Sequence, residues 1–483
     1  MHRLNRLGAF QDNESNAPET PSHDSSRTPM MRLASRATPN KLCLRSAPGA
    51  ILLLLYGALL PLAGCNGRSA HEPVTLTYLD VEWDTPDAMP GLAQDLQDFT
   101  RQTGIQVRRL PRPDGSLNQL ALWRELLQKG ASAPDVLSID VIWSGMLSQY
   151  LVDLKPYFAA ELATQDPVVV ASYTVGDKVL AMPHHAYVGV LLYRPDLLRT
   201  YGYRKPPNTW DELEIMAARI QLGERAKGKK DFLGYVWQGG LDEDLTCSGL
   251  EWQISAGGGR IIEDDKTISV NNPQAIGAWQ RAARWVGSIS PPGVVAYGKW
   301  DAQNAWGSGK AAFVRSWQGD YSLVNRGWPF SGSPPVQITE FGVTMVPGGK
   351  AGRAAALGGN GLATSRTSAH PREALQLIRF LVQRDEELMR ASSDAAMPKG
   401  LELYELPAIF KAYAEVTKSV ERKGDLVARP SVAAGSKYED VTRAYIREVH
   451  SVLSREKVPS VAAADLEKEL IDMTGLRTGP PSK

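Results

Sequence analysis

The chain has 483 residues and a balanced charge, with 54 Lys and Arg against 53 Asp and Glu. The formal net charge of +1 excludes the clustered basic excess that nucleic-acid binding requires. Cys43 and Cys65 lie near the start and only Cys247 follows, which excludes a disulfide framework in the remaining chain. A chain of this length can bury enough apolar surface for two lobes without such bridges.

The first 64 residues are predicted to be a leader and not part of the folded body. Residues 1–29 are polar and lack any apolar period, so they are predicted to be disordered. Met30 or Met31, followed by basic residues, is a more normal start for a signal peptide than Met1. An apolar run at 50–60 and small residues before a cleavage point complete the pattern of a secretory signal.

The tetrapeptide Leu62-Ala63-Gly64-Cys65 is similar to the bacterial lipobox, in which the cysteine receives a diacylglycerol and becomes the mature N-terminus. It predicts lipidation at Cys65. The mature chain would then work outside the cytoplasmic membrane, tethered on the periplasmic side or at the cell surface, since several acyl chains give stable anchoring. The alternative is an ordinary signal peptide with a chance cysteine.

After the leader, β-rich segments alternate with amphipathic helices. A first strand is predicted at Val74–Asp80, followed by a helix that ends at Gly104 and a second strand at Ile105–Leu110. Leu117–Gln128 is predicted to be a second helix and Val136–Asp140 a third strand. This rhythm favours an α/β fold with a parallel, doubly wound sheet.

The same alternation continues to the C-terminus. Further strands are predicted at Tyr187–Tyr193, Ala311–Arg315, Phe341–Val346 and Leu357–Ala363. Helices are predicted to begin near Asn208, Pro273 and Pro371, and to cover Leu406–Glu421, Tyr438–Leu453 and Val461–Met473. Proline suits the first turn of a helix, because its missing N–H has no partner there in any case.

Aromatic residues with polar atoms are unusually frequent, with 12 Trp and 16 Tyr against 9 Phe. Such rings suit ligands like sugars, whose C–H faces stack on rings while their hydroxyls bind carboxylates and amides. The alternative is that tryptophans fill large cores, which we expect for most of them.

Candidate ligand residues follow the predicted strands. Asp140 ends the third strand, where α/β binding sites collect, although it could instead cap a short helix. Glu82 and Trp83 follow the first strand in the same way, unless they belong to a solvated loop. Trp143 could stack on a ligand or lie buried in a helix, and the second role is favoured.

Six motifs in this order are similar to those of the family 1 extracellular solute-binding proteins of ABC importers. They lie at Phe99–Val107 (F-x-x-x-T-G-I-x-V), Pro134–Trp143, Leu191–Leu198, Trp306–Trp317 (with G-K-A-A-F), Leu357–Ala363 (G-G-x-G-L) and Arg429–Tyr438. The resemblance as a whole spans about residues 74–473, behind the lipobox. The branch they resemble most binds trehalose or maltose, and Glu251-Trp252 adds to that resemblance.

The resemblance implies a two-lobe fold of the type II periplasmic binding protein kind, each lobe a mixed or parallel sheet flanked by helices. Lobe 1 would take 70–183 and 341–392, and lobe 2 would take 187–338 and 393–478. The chain would cross between lobes near 183–187 and 333–339. A di- or oligosaccharide would bind between the lobes, and hinge closure would present it to permease subunits. We expect a monomer without cofactor, metal or nucleic-acid partner.

The positions of these motifs imply further ligand contacts. Trp317 would be the stacking platform, with Asp320 beside it. Gly359 would allow close approach of the backbone, and the amide of Asn360 could donate and accept at once. Tyr438 would close over the sugar from the tail.

One stretch departs from the trehalose/maltose pattern, which has an acidic residue just before the equivalent of Gly189. Here the chain reads His184-His185-Ala186-Tyr187-Val188. We interpret His185 and Tyr187 as polar residues of the cleft or hinge, because adjacent histidines lack the i,i+4 spacing of a helical metal pair. The departure leaves the identity of the sugar open.

Two other functions fit parts of the pattern. A secreted glycoside hydrolase would also combine aromatics with carboxylates, but it needs two of them at a defined separation, which the sequence does not measure. The chain lacks the G-x-S-x-G, H-E-x-x-H and P-loop motifs. A surface sensor or adhesin could use the same fold to bind its ligand.

Overall fold

The structure is a computed structural model that describes residues 73–80, 90–113, 116–130, 134–320, 338, 340–383 and 426–482. The predictions at Cys65, Glu82 and Trp83, the helix at 406–421 and most of the crossing at 333–339 lie outside the described residues. In the part that is described, no helix is long and apolar enough to span a membrane.

Strands and helices alternate in the N-terminal half. They are β1 (Thr75–Leu79), α1 (Pro90–Thr103), β2 (Gln106–Arg109), α2 (Ser116–Gln128), β3 (Val136–Asp140), α3 (Ser144–Leu147), α4 (Ala159–Ala163), α5 (Pro167–Ser172), β4 (Thr174–Val175), β5 (Lys178–Val179), β6 (Met182–Tyr193), α6 (Pro195–Thr200), α7 (Trp210–Ala226) and β7 (Leu233–Val236).

Helices dominate the C-terminal half. The elements are α8 (Glu243–Ser255), α9 (Pro273–Trp285), α10 (Lys299–Ala305), β8 (Ala311–Trp317), β9 (Gly342–Met345), β10 (Ala355–Thr364), α11 (Pro371–Leu381), β11 (Leu426–Val427), α12 (Ser431–Ala434), α13 (Tyr438–Leu453) and α14 (Pro459–Thr474). Short 3-10 turns cover Ser148–Tyr150, Pro292–Ala296 and Gly435–Lys437, and a π turn covers Trp306–Lys310.

Local sequence explains several helix starts. Thr209 caps α7 by accepting a hydrogen bond from the Glu212 N–H at 3.2 Å, which confirms the helix predicted near Asn208. Asn272 caps α9 in the same way, and Pro371 occupies the first turn of α11. The predicted bounds of α13, Tyr438–Leu453, are those of the structure.

Among the described residues, nine strands form one mixed sheet in the order β2-β1-β3-β10-β6-β8-β7, with β11 beside β10 and β9 beside β6. Pairing is parallel between β1 and β2, β1 and β3, and β7 and β8. The long strands β6 and β10 are antiparallel to their neighbours β3 and β8 and to each other. The alternation of strands and helices alone predicted a parallel sheet, but the observed sheet is mixed, which agrees with the expectation of a mixed or parallel sheet in each lobe.

Strand β6 connects these two parts. Its residues 182–188 pair with β10, while residues 189–193 pair with β8 and β9. The predicted strand at Tyr187–Tyr193 thus begins five residues earlier, at Met182. The crossing predicted near 183–187 lies inside a continuous strand and not in a loop.

The buried apolar residues form separate cores on the two parts of the sheet. One core surrounds β7, β8 and the second half of β6, and six buried tryptophans belong to it: Trp210, Trp237, Trp252, Trp279, Trp285 and Trp306. Two smaller cores pack around β1, β3 and their helices, and one of them contains Trp123 and Trp143. Most tryptophans therefore fill the cores of a two-lobe protein, as expected.

Candidate ligand-binding site

The candidate site lies where β6 passes from one part of the sheet to the other. Strand register brings the predicted residues to this place: Asp140 is opposite Asn360, Tyr187 is opposite Gly358, and Trp317 is opposite Gly189. Asp140, Tyr187 and Trp317 are all partly exposed. Carboxylate and aromatic side chains from both parts of the sheet therefore meet in one neighbourhood.

Trp317 is held on several sides. The Cζ atom of Arg315 lies 4.2 Å from the centre of the Trp317 ring, and the Trp317 indole N–H donates a hydrogen bond to Oδ1 of Asp244 at 3.2 Å. A Cβ on Gly358 would come within 3.0 Å of its six-membered ring, so that position needs glycine or a shift of the ring. The guanidinium covers one face of the indole.

Asp140 is a partly buried carboxylate next to a buried cation. Its side chain is 29% exposed, and its Oδ1 lies 3.7 Å from Nη2 of Arg429. Oδ1 also accepts a hydrogen bond from the Ile142 N–H at 3.2 Å, but α3 begins at Ser144 after Trp143, so Asp140 does not cap that helix. Partial burial raises the pKa of Asp140 to about 6, against the attraction of Arg429.

Further acidic residues stand at the start of α8. Asp242 caps this helix through the N–H of Asp244, and burial together with the charge of Asp244 raises the pKa of Asp242 to about 7. The charges of Glu243 and Asp244 also raise the pKa of Asp140. The carboxylates of β3 and α8 thus share one electrostatic environment.

Arg429 connects the two groups of acids. Its Nη1 lies 2.9 Å from Oε1 of Glu243, and its Nη2 donates to the carbonyl oxygen of Leu357 at 3.3 Å. Thr442 donates to Glu243 Oε2 at 2.7 Å, and the Tyr438 hydroxyl donates to Oε1. Tyr438 is therefore buried beneath the site as a support of Glu243, and the expectation that it closes over a ligand is wrong for this structure.

Two other expected contacts are also buried supports. Trp143 is 1% exposed and packs edge to face on Trp123, with ring centres 5.6 Å apart, so its ring belongs to the core. Asp320 is 2% exposed, because its carboxylate accepts from the Ser316 hydroxyl at 2.8 Å and from the Trp317 N–H at 3.1 Å. Lys299 also pairs with it at 3.0 Å. These residues shape the site without facing it.

The β6–β10 pair buries His185 and Asn360, whose Nδ1 and Nδ2 atoms are 3.5 Å apart. Gly359 beside them is partly exposed and has a φ of +122°. A Cβ there would lie 2.0 Å from the His185 carbonyl oxygen, so only glycine fits. Backbone at Gly359 and the ring of Tyr187 are accessible at this point, whereas His185 and Asn360 are not.

Sequence reasoning missed Asp244, Glu243 and the role of Arg429. The acidic run at 242–244 is a usable signal, because three acids at a helix start exceed what capping needs. Arg429 stands out in the sequence only as part of a motif. Among the described residues, no group of three or more His, Cys, Asp or Glu is placed to hold a metal ion. Cys247 is buried as expected, and burial raises the pKa of its thiol to about 12.

Residues 82–387 match the family described as bacterial extracellular solute-binding protein, which is more than half of the chain. The chain belongs to this family. A relative from Deinococcus radiodurans, named a probable ABC transporter-binding protein, is 40% identical over 380 residues, covering 78% of this chain and 89% of the relative. An uncharacterized lipoprotein of Streptomyces antibioticus is 25% identical over 378 residues, covering 75% of this chain and 79% of the relative.

Solved structures of solute-binding proteins have the same architecture. The maltose-bound MalE3 of T. maritima has a TM-score of 0.72 and 32% identity, covering 82% of this chain and 99% of its own. The cyclic alpha-maltosyl-1,6-maltose binding protein of Arthrobacter globiformis has a TM-score of 0.68 at 20% identity, covering 83% of this chain and 99% of its own. The fold of this solute-binding protein is thus the two-lobe type II periplasmic binding protein fold, as predicted.

Proposed function

We propose that this solute-binding protein captures a di- or oligosaccharide between its lobes and delivers it to the permease subunits of an ABC importer. The observation that carries the proposal is the partly exposed indole of Trp317, which donates a hydrogen bond to the carboxylate of Asp244, whose charge also acts on Asp140. Rings that stack on C–H faces and carboxylates that accept hydroxyl hydrogens are the two elements of a sugar site. The similarity to a probable ABC transporter-binding protein of Deinococcus and to maltose-bound MalE3 supports the transport role and the sugar class.

In this proposal the sugar stacks on the face of the Trp317 ring opposite Arg315. Asp140 and Asp244 accept hydroxyl hydrogens, while Tyr187 and the backbone at Gly359 line the wall. Glu82 and Trp83 follow β1, which lies next to β3 in the sheet, so both remain predicted contacts. A maltose- or trehalose-like ligand is the first candidate.

The proposed lobe boundaries remain 70–183 with 341–392, and 187–338 with 393–478. Strand β6 would be the main hinge, because its two halves pair with different parts of the sheet. Closure of the lobes about it would bury the sugar and present a new surface to the permease. Lipidation at Cys65 would keep a monomeric receptor near that permease.

The test is calorimetric titration of the purified soluble chain with maltose, trehalose and maltotriose, followed by a long incubation and an assay for released glucose. We expect saturable one-to-one binding of at least one sugar and no turnover. Trp317→Ala should weaken that binding by about tenfold or more, since a buried aromatic stack contributes on the order of 1–2 kcal/mol.

Tyr157→Ala is the control, because Tyr157 is an exposed aromatic ring beside Arg379 and is not one of the residues assigned to this site. The affinity of Tyr157→Ala for the sugar should equal that of the wild type. Unchanged affinity in Trp317→Ala would contradict the stacking role. Glucose release that Asp140→Asn abolishes would instead support the hydrolase, in which a carboxyl with a raised pKa serves as general acid.

A further inference from the structure

A buried ion pair lies behind the proposed ligand platform. Nη2 of Arg315 is 2.7 Å from Oε1 of Glu251, and its Nε donates to Oε2 at 3.2 Å. The two side chains are 1% and 0% exposed, so neither is available to a ligand in this structure. A bidentate pair of this kind fixes the plane of the guanidinium.

The pair lies against three of the strands at the crossing, β6, β8 and β10. Arg315 belongs to β8, and Glu251 of α8 accepts a hydrogen bond from the Ala356 N–H of β10 at 3.1 Å. On β6, a Cβ at Gly189 would lie 2.1 Å from Oε1 of Glu251, so the pair fills the space of the missing side chain. Contacts with β6, β8, β10 and α8 therefore fix the position of the Arg315 guanidinium.

The guanidinium in turn covers one face of Trp317 at 4.2 Å. A ring held in place before the ligand arrives loses less conformational freedom when the ligand stacks on it. We infer that Glu251 and Arg315 are positioning residues, which hold the indole of Trp317 in its ligand-binding orientation. This inference rests on the proposed function, because it assumes that Trp317 touches the ligand.

The double variant Arg315→Met/Glu251→Gln tests the inference. It removes both charges together, so no uncompensated buried charge is left, and the glutamine can still accept from the Ala356 N–H. Since cation–π contacts have modest strength, we expect the Kd for maltose to rise about tenfold. Arg379→Met is the control, because Arg379 covers Phe158 at 4.9 Å in a different part of the fold, and it should leave the Kd unchanged.

A pair that only stabilises the fold would give a different pattern in the Trp317→Ala background. If the pair acts through the indole, its removal there changes the Kd no further, since the ring is already absent. Equal losses of affinity in both backgrounds would overturn the inference. If Trp317→Ala alone leaves the Kd unchanged, the proposed stacking role fails instead.

A measurement without ligand decides the same question. In protein labelled with 5-fluorotryptophan, the fluorine resonance missing from Trp317→Phe belongs to Trp317. We expect removal of the pair to shift and broaden that resonance, and Arg379→Met to leave it in place. An unchanged Trp317 resonance would overturn the inference whether or not maltose binds.

Discussion

Asp140 lies at a strand end that suits ligand binding, but its surroundings disfavour its charged form. Its place at the end of β3 gives it access to a ligand, but partial burial near other acids raises its pKa from 3.8 to about 6. At pH values between these two pKa values, Asp140 binds a proton in the folded protein but not in the unfolded chain. Stability from this group is therefore present at low pH and is lost as the pH rises through about 6.

Asp140→Asn should remove this dependence. At pH 7.5 we expect the variant to be more stable than the wild type by about 1–3 kcal/mol, and at pH 4 by almost nothing. Urea unfolding of both proteins at the two pH values measures the difference. Asp242 titrates in both proteins, so its contribution cancels in the stability difference between them. A stability difference that is the same at both pH values would contradict the raised pKa of Asp140.

The same residue predicts how sugar binding responds to pH. An ionised carboxylate is the stronger acceptor, so we expect the wild type to bind maltose several-fold more weakly at pH 5 than at pH 7.5. Asp140→Asn should bind weakly at both. This loss of binding alongside a gain in stability is typical of a group kept for function and not for folding.

At the scale of elements, the pairing of β6 with β10 depends on one glycine. Gly359 has a φ of +122°, and a Cβ there would meet the His185 carbonyl oxygen at 2.0 Å. Because the obstacle is backbone in the adjacent strand, no rotamer change relieves it. The pairing also brings Asp140 opposite Asn360, so the site depends on the same register.

Gly359→Ala should therefore destabilise the protein by about 3 kcal/mol or more, combining backbone strain with the clash. Gly104→Ala is the matched control, since Gly104 has a φ of +75° but a Cβ added there would meet no atom within 4 Å. Its expected cost is about 1 kcal/mol. Equal losses in the two variants, measured by urea unfolding, would mean that the β6–β10 contact is not tight.

At the scale of the whole molecule, the two lobes depend on strands that are far apart in sequence. The family and the fold establish a protein that binds solutes outside the cell. Attachment to the membrane is a separate property, which rests on the lipobox alone. The lobes have their own cores, so we expect removal of the anchor to leave binding intact.

Cys65→Ser should move the protein from the membrane fraction to the soluble fraction of expressing cells. Mass spectrometry of the wild type should find a lipid-modified N-terminus at Cys65. The released variant should bind maltose with the same Kd as the purified soluble chain. A Cys65→Ser protein that stays in the membrane fraction would contradict the predicted anchor.

The sequence by itself determined many of the elements and their order, although β7, α8 and α10 were not predicted. Helix caps such as Thr209 and the apolar period of α13 act through neighbours a few residues apart, so they can be read locally. The motif order also predicted the two-lobe fold, and strand ends singled out Asp140 and Trp317 as candidate ligand residues. The contacts of those residues with a sugar remain predictions.

Only the tertiary structure decided which side chains face the site. Trp143, Asp320 and Tyr438 have the residue types of a sugar site, yet each is buried by its packing or hydrogen bonds in the folded chain. Glu251 and Arg315 are 64 residues apart, and Glu243 and Arg429 are 186 apart. No local period encodes such pairs, since burial and charge pairing are set by the strands that β6 and β10 bring together.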